Sequence, residues 1–156
     1  MSLRVLKISA ALTFATALTV GGATATAQTA PLQYTNAAGD VRCTFYPRAE
    51  GTHVLCVSDA PGSRAANPEC NPPQALIPSL VINTRNETFT NCWNQGMDGT
   101  PQALQPGQSR NIGTKSVFAD PAGGLVIWDN RNFQSLGYAG TGDLYGFSFT
   151  SGSSGS

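Results

Sequence analysis

Val41-Arg42-Cys43-Thr44-Phe45-Tyr46 and Thr52-His53-Val54-Leu55-Cys56-Val57-Ser58 decide how this chain is read. The first stretch alternates and is β-branched or aromatic, the pattern of a strand with one face toward a core, and the second reads as its partner strand. Ala49-Glu50-Gly51 between them is turn chemistry, and Pro47 is expected to end the first strand. Folded back as an antiparallel hairpin, the pair sets Cys43 opposite Cys56. Facing positions bring the two Cβ atoms within disulfide reach.

The same reading extends in both directions. Upstream, Asn36-Ala37-Ala38-Gly39-Asp40 is a turn, and the polar residues 28–36 read as a loose lead-in. Downstream, residues 59–75 hold four prolines and Cys70, which predicts a long irregular loop pinned by one cysteine. Residues 76–82 are apolar but broken by Pro78, as in an edge or bulged strand. Thr88-Phe89-Thr90-Asn91-Cys92-Trp93 alternates again and puts Cys92 on a strand. Residues 95–108 read as a Gly/Pro-rich loop, and residues 109–118 as one weak strand around Ile112 and Val117. Asp120-Pro121-Ala122-Gly123-Gly124 is a strong turn before Leu125-Val126-Ile127-Trp128, the most apolar stretch beyond the N-terminal segment and a core strand. Asp129-Asn130-Arg131-Asn132 turns once more. Gly137-Tyr138-Ala139-Gly140-Thr141-Gly142 reads as a mobile loop, and residues 144–149 as a last strand. No stretch after residue 27 sustains a 3.6-residue apolar period, so no helix beyond a turn or two is expected. Short strands separated by turn signals predict an all-β fold, a small antiparallel sandwich or barrel with long Pro/Gly-rich loops.

The ends carry a different message. Arg4 and Lys7 precede a charge-free apolar run over residues 8–20, and Ala25-Thr26-Ala27 supplies a small-residue exit. That is the layout of a secretory signal peptide over residues 1–27, with an apolar run too short for a bilayer span of roughly 20 residues. Residues 37–150 then form one exported β domain, and the Gly/Ser-rich residues 151–156 a flexible tail. No membrane insertion is expected once the signal is removed.

Only 12% of the residues are charged; beyond residue 27 there remain seven basic and nine acidic side chains, a net charge of −2. Nucleic acid is excluded as a partner, because its binding needs clustered Lys and Arg to displace counterions. Four cysteines, Cys43, Cys56, Cys70 and Cys92, in an exported domain of this size read as two disulfides. Of the three possible pairings the sequential one is favoured, Cys43–Cys56 and Cys70–Cys92, each contributing about 3 kcal/mol by constraining the unfolded chain. A metal site is not expected: no Cys-x-x-Cys occurs, and His53 is the only histidine.

Catalytic chemistry is hard to assemble. No Gly-x-Ser-x-Gly elbow is present. A serine triad would depend on His53, which the strand pattern places on a surface or rim. Most of the nine acids fall in turns, where aspartate is favoured for its own backbone hydrogen bonds, and no spacing pairs two of them for glycoside chemistry. Neither a catalytic residue nor a cofactor is assigned. Ligand binding has better candidates: Trp93-Asn94-Gln95 and Trp128-Asp129-Asn130 each set a tryptophan beside polar side chains, an arrangement suited to stacking on sugar rings. The candidate ligand-binding residues are Trp93, Asn94, Trp128 and Asp129. Core packing is the simpler use of either tryptophan, of Trp128 above all, whose preceding neighbours are apolar. Pro68-Glu69-Cys70-Asn71-Pro72-Pro73-Gln74 has a second use open to it, as a rigid bait loop of the kind protease inhibitors present.

One pattern goes beyond composition. Ala38-Gly39-Asp40-Val41-Arg42-Cys43, His53-Val54-Leu55-Cys56, Asn67-Pro68-Glu69-Cys70 and then Cys92 resemble a family of small exported actinobacterial proteins, over residues 36–149. That family shows a Gly-Asn-Ile-x-Cys start, a Gly-Val-x-Cys partner, a Pro-x-x-Cys and a later Cys. The resemblance implies the β fold and sequential disulfides but no activity. This chain departs from it late in the sequence, where the family carries a further cysteine pair near a Gly-Leu-x-Cys and Gly124-Leu125-Val126-Ile127 here has no cysteine. The functional expectation is a monomeric, non-enzymatic binding module secreted to the cell envelope, taking a cell-wall glycan or an extracellular protein; a protease inhibitor acting through the Cys70 loop is the alternative.

Overall fold

The computed structural model describes residues 29–70 and 76–146. The segment read as a signal peptide, the bait positions Asn71 to Gln74 and the Gly/Ser tail lie outside the described residues.

The alternating patterns fold as strands. Eleven form two sheets: β1 (Leu32–Thr35), β2 (Val41–Arg48), β3 (Gly51–Ser58), β4 (Ile77–Ile82), β5 (Thr88–Trp93) and β6 (Pro101–Ala103) in the first; β7 (Ser109–Ile112), β8 (Lys115–Ala119), β9 (Leu125–Asp129), β10 (Gln134–Ala139) and β11 (Leu144–Gly146) in the second. The first sheet runs β5-β4-β3-β2-β1-β6 and the second β11-β10-β9-β8-β7, so both are open and the expected sandwich, rather than the barrel, is what forms. Period-2 alternation explains the packing. Val41, Cys43 and Phe45 of β2, Val54 and Cys56 of β3, and Leu80 and Ile82 of β4 point inward. They meet Val117, Ala119, Leu125, Ile127, Leu136 and Ala139 of the second sheet in one core.

The central hairpin has the expected register, with Cys43 directly opposite Cys56. Their Cα atoms are 4.0 Å apart and the disulfide is made; Cys70–Cys92 is the second, at 5.3 Å. Cys43 and Cys56 are both core residues, so this disulfide doubles as apolar packing.

Several local expectations are corrected. The lead-in over residues 28–36 contains β1, flanked on both sides by β2 and β6. Its polar residues conceal it: Gln33 and Thr35 are buried on the outer face of the sheet. Thr44, beside Gln33 on that face, bonds the carbonyl of Asp98, so the loop before β6 covers this patch. Pro47 does not end β2. The β1 pairing stops at Phe45, so β2 has only β3 beside it from Tyr46 onward, and a missing N–H is tolerated there. Pro78 likewise lies on an interior strand, but the β3 pairing begins only at Ser79, which leaves Pro78 on a locally free edge.

Three loops also hide structure. Residues 59–75 include the short helix α1 (Pro61–Ala66) and a 3-10 turn over Pro68–Cys70. The loop after Gln95 contains β6, which runs parallel to β1 and departs from the antiparallel pattern. Residues 109–118 form a hairpin of two strands, because Gly113 at φ 57° opens a two-residue turn before Lys115. The glycine-rich residues 137–142 are not a mobile loop throughout: β10 runs through Ala139 between β9 and β11. A Cβ on Gly137 would lie 2.7 Å from Leu80 Cδ2 of the facing sheet, so the glycine marks close approach between the sheets. Of the last expected strand, Leu144–Gly146 is β11, and the remainder lies outside the described residues.

Candidate functional site

Trp93 and Trp128 point away from the core on different sheets. On β5, Phe89, Asn91 and Trp93 take the outer face of the first sheet; on β9, Val126 and Trp128 take the outer face of the second. A single site using both tryptophans is therefore not formed.

Trp93 is half-buried against a cleft of about 210 Å³ lined by Tyr46, Arg48, His53, Leu55, Val81 and Trp93. Tyr46 and His53 are cross-strand neighbours with ring centroids 5.8 Å apart. His53 is held below its usual pKa by burial and by the charges on Arg48 and Lys115, so its ring is neutral at pH 7. The indole Nε1 of Trp93 is buried without a hydrogen-bond partner among the described residues. Asn94 follows, exposed, just past the end of β5.

Trp128 is 37% exposed, so core packing is not its use. It faces Ser116 and Ser135 across the sheet. Beside it lies an open basin of about 410 Å³ lined by Asp120, Val126, Ser135, Tyr138, Asp143 and Tyr145. Tyr138 and Tyr145 are cross-strand partners with centroids 5.4 Å apart and planes 33° from parallel. Gly124 and Gly140 create the seat for Tyr138, because a Cβ at either position would collide with its ring. The ring is thus laid flat against backbone. Its hydroxyl donates to Asp120 Oδ2 at 3.4 Å. Burial, with the nearby carboxylates of Asp120 and Asp143, raises the Tyr138 pKa, so the hydroxyl keeps its proton at neutral pH. Ser135 Oγ is buried and has no partner among the described residues.

Chemically the basin offers aromatic faces, two carboxylates and a partnerless hydroxyl, with no cation among its lining residues. It suits a neutral polyhydroxyl ligand: rings cover the apolar C–H faces of a sugar, and carboxylates accept from adjacent hydroxyls. No protein-family model, curated protein or solved structure matches this chain. The site therefore has to be read from its own chemistry.

Asp129 is the candidate that the fold removes. Its side chain turns inward and is 2% exposed. Arg131 donates to it from its backbone N (2.9 Å), Nε (3.1 Å) and Nη2 (3.0 Å), and Asn86 Nδ2 donates at 2.5 Å. Burial acts to raise its pKa, but these hydrogen bonds and the Arg131 charge prevail and hold it below the usual carboxylate value. Strand alternation explains the placement: Leu125, Ile127 and Asp129 share the inner face, and Trp128 takes the other.

Sequence reasoning missed Tyr138, Tyr145, Asp120 and Asp143. Tyr145 carried a usable signal, alternation in residues 144–149. Tyr138 had only its glycine neighbours, which suggested a loop. No groups of three or more His, Cys, Asp or Glu side chains able to hold a metal occur among the described residues. No described helix is long and apolar enough to cross a membrane.

Proposed function

We propose that this chain is a secreted, non-enzymatic binding module of the cell envelope that takes a neutral glycan on the outer face of its second sheet. One observation carries the reading: Tyr138 and Tyr145, tilted against each other across β10 and β11, share a basin with Asp120 and Asp143 beside the exposed Trp128. Aromatic platforms flanked by hydrogen-bond acceptors on a rigid sheet are a means of holding a sugar without reacting with it. Export is supported by the two disulfides, which form and persist in oxidising compartments, and by the residue pattern of the first 27 positions.

The test is a titration of the protein with soluble fragments of its own cell-wall glycan, followed by heat. Saturable binding is expected. Trp128→Ala and Tyr138→Ala should each weaken it about fivefold or more, the equivalent of about 1 kcal/mol per aromatic contact. Trp93→Ala should leave it unchanged. Equal losses from Trp93→Ala and Trp128→Ala, or no saturable binding, would sink the reading. In the latter case the Cys70 loop becomes the surface to examine. The Cys70–Cys92 bond ties its start to β5, and assays against secreted proteases read its effect directly.

A further inference from the structure

The interior holds a group that the glycan reading does not use. Lys115 is the only lysine beyond residue 27, and it is fully buried. Its Nζ has no hydrogen-bond partner among the described residues. Leaving an ammonium in that state costs several kcal/mol. It begins β8, directly opposite Asp129 on the inner face of the second sheet. Across the sandwich, Asn86 in the turn between β4 and β5 reaches over from the first sheet and hands its Nδ2 to Asp129 Oδ2 at 2.5 Å. Asn86 holds φ 68°, and its Oδ1 is buried without a partner. A buried amine and a carboxamide thus lie on two sides of one carboxylate between the sheets: Asn86 is hydrogen-bonded to Asp129, and Lys115 is its cross-strand partner. The amine and the amide oxygen are both partnerless.

We propose that Lys115 and Asn86 join in an intramolecular isopeptide bond, with Asp129 as the proton carrier. In balance, the neutral Lys115 Nζ attacks Asn86 Cγ and the new C–N bond forms. Asp129 Oδ2 takes the proton released from Nζ and passes it to Asn86 Nδ2, to which it is already hydrogen-bonded. The Cγ–Nδ2 bond breaks and ammonia leaves. Amine and carboxamide become a secondary amide and ammonia, with no oxidant or cofactor. The structure sets both side chains beside the same residue, Asp129. Burial lowers the Lys115 pKa to about 8, against the opposing pull of Asp129 and with a smaller push from Arg131, so a neutral amine is accessible near physiological pH. The product has a structural logic. Cys43–Cys56 lies within the first sheet, and Cys70–Cys92 joins the 3-10 turn to that sheet's β5. The second sheet has no covalent tie of its own, and this bond would supply one.

The experiment is intact mass spectrometry of the purified, folded and then reduced protein, followed by peptide mapping. The expected mass is lower than that of the unlinked chain by one ammonia. The loss should map to a branched peptide joining the segments that contain Asn86 and Lys115. Mapping is essential, since cyclisation of Gln28, were it the mature N-terminus, sheds the same ammonia. Asp129→Asn and Asn86→Ala should restore the unlinked mass. An amine-reactive label applied to the denatured wild type should find no lysine amine, and in either variant it should find one. A wild type of unlinked mass, or a denatured wild type whose Lys115 accepts the label, overturns the proposal whether or not the variants fold.

Discussion

Lys115 and Asn86 carry the sharpest residue-scale consequence. Asn86→Gly suits the positive φ, removes the amide and leaves Lys115 with a free amine. In that variant the native amine gives up its proton near pH 8, whereas the unfolded one holds it to about pH 10.4. Between those values the unfolded state binds the extra proton, so stability rises with pH, by up to about 3 kcal/mol. Denaturant midpoints at pH 8 and pH 9.5 should show the rise in Asn86→Gly. The wild type, its amine consumed, should show none. Neither residue was conspicuous in the sequence. Lys115 falls within one weak expected strand, and Asn86 between two expected strands. Only packing the β4–β5 turn of one sheet against β9 of the other sets Asn86 and Lys115 on the same residue, Asp129. Asp129 was legible as a polar residue beside a tryptophan, but its inward aim depends on which face of β9 is buried.

At the scale of elements, glycine separates what was legible from what was not. Alternation located β2 and β5, and apolar, β-branched runs located β3 and β9, whose side chains carry those patterns. β10 escaped because Gly137 interrupts its side-chain pattern, and β1 because its buried outer face is polar. Gly137 marks a close approach between the sheets: Leu80 Cδ2 and Ile82 Cδ1 occupy the space a side chain would need. Gly137→Ala should therefore cost about 1–3 kcal/mol through overpacking, read as a lower denaturation midpoint. Combined with Leu80→Ala, which vacates the colliding atom, it should cost less than the sum of the two single changes. A cost that is simply additive would mean that the two positions do not compete for space.

The whole molecule is a sandwich whose covalent reinforcement is uneven. Chain entropy alone predicts about 3 kcal/mol for either disulfide, slightly more for Cys70–Cys92 because its loop is longer. Packing reverses the order. Cys43 and Cys56 are wholly buried in the core, whereas Cys92 is only half-buried. Replacing the first pair with alanine loses buried contacts as well as the cross-link. Thermal melts should show the Cys43→Ala/Cys56→Ala protein less stable than the Cys70→Ala/Cys92→Ala protein. The opposite order would mean that loop length outweighs core packing here.

By itself the sequence determined the all-β class, the central hairpin and the pairing of its two cysteines, together with the remaining pair. Each of these follows from local alternation, turn chemistry and the even cysteine count, signals that lie within a few residues of one another. Tertiary structure alone decided that Trp93 and Trp128 serve different surfaces, and that Tyr138 and Tyr145 meet over two carboxylates. It alone brought Lys115, Asn86 and Asp129 to one buried point. Those outcomes depend on which sheet each strand joins and which face that sheet buries, and long-range packing sets both.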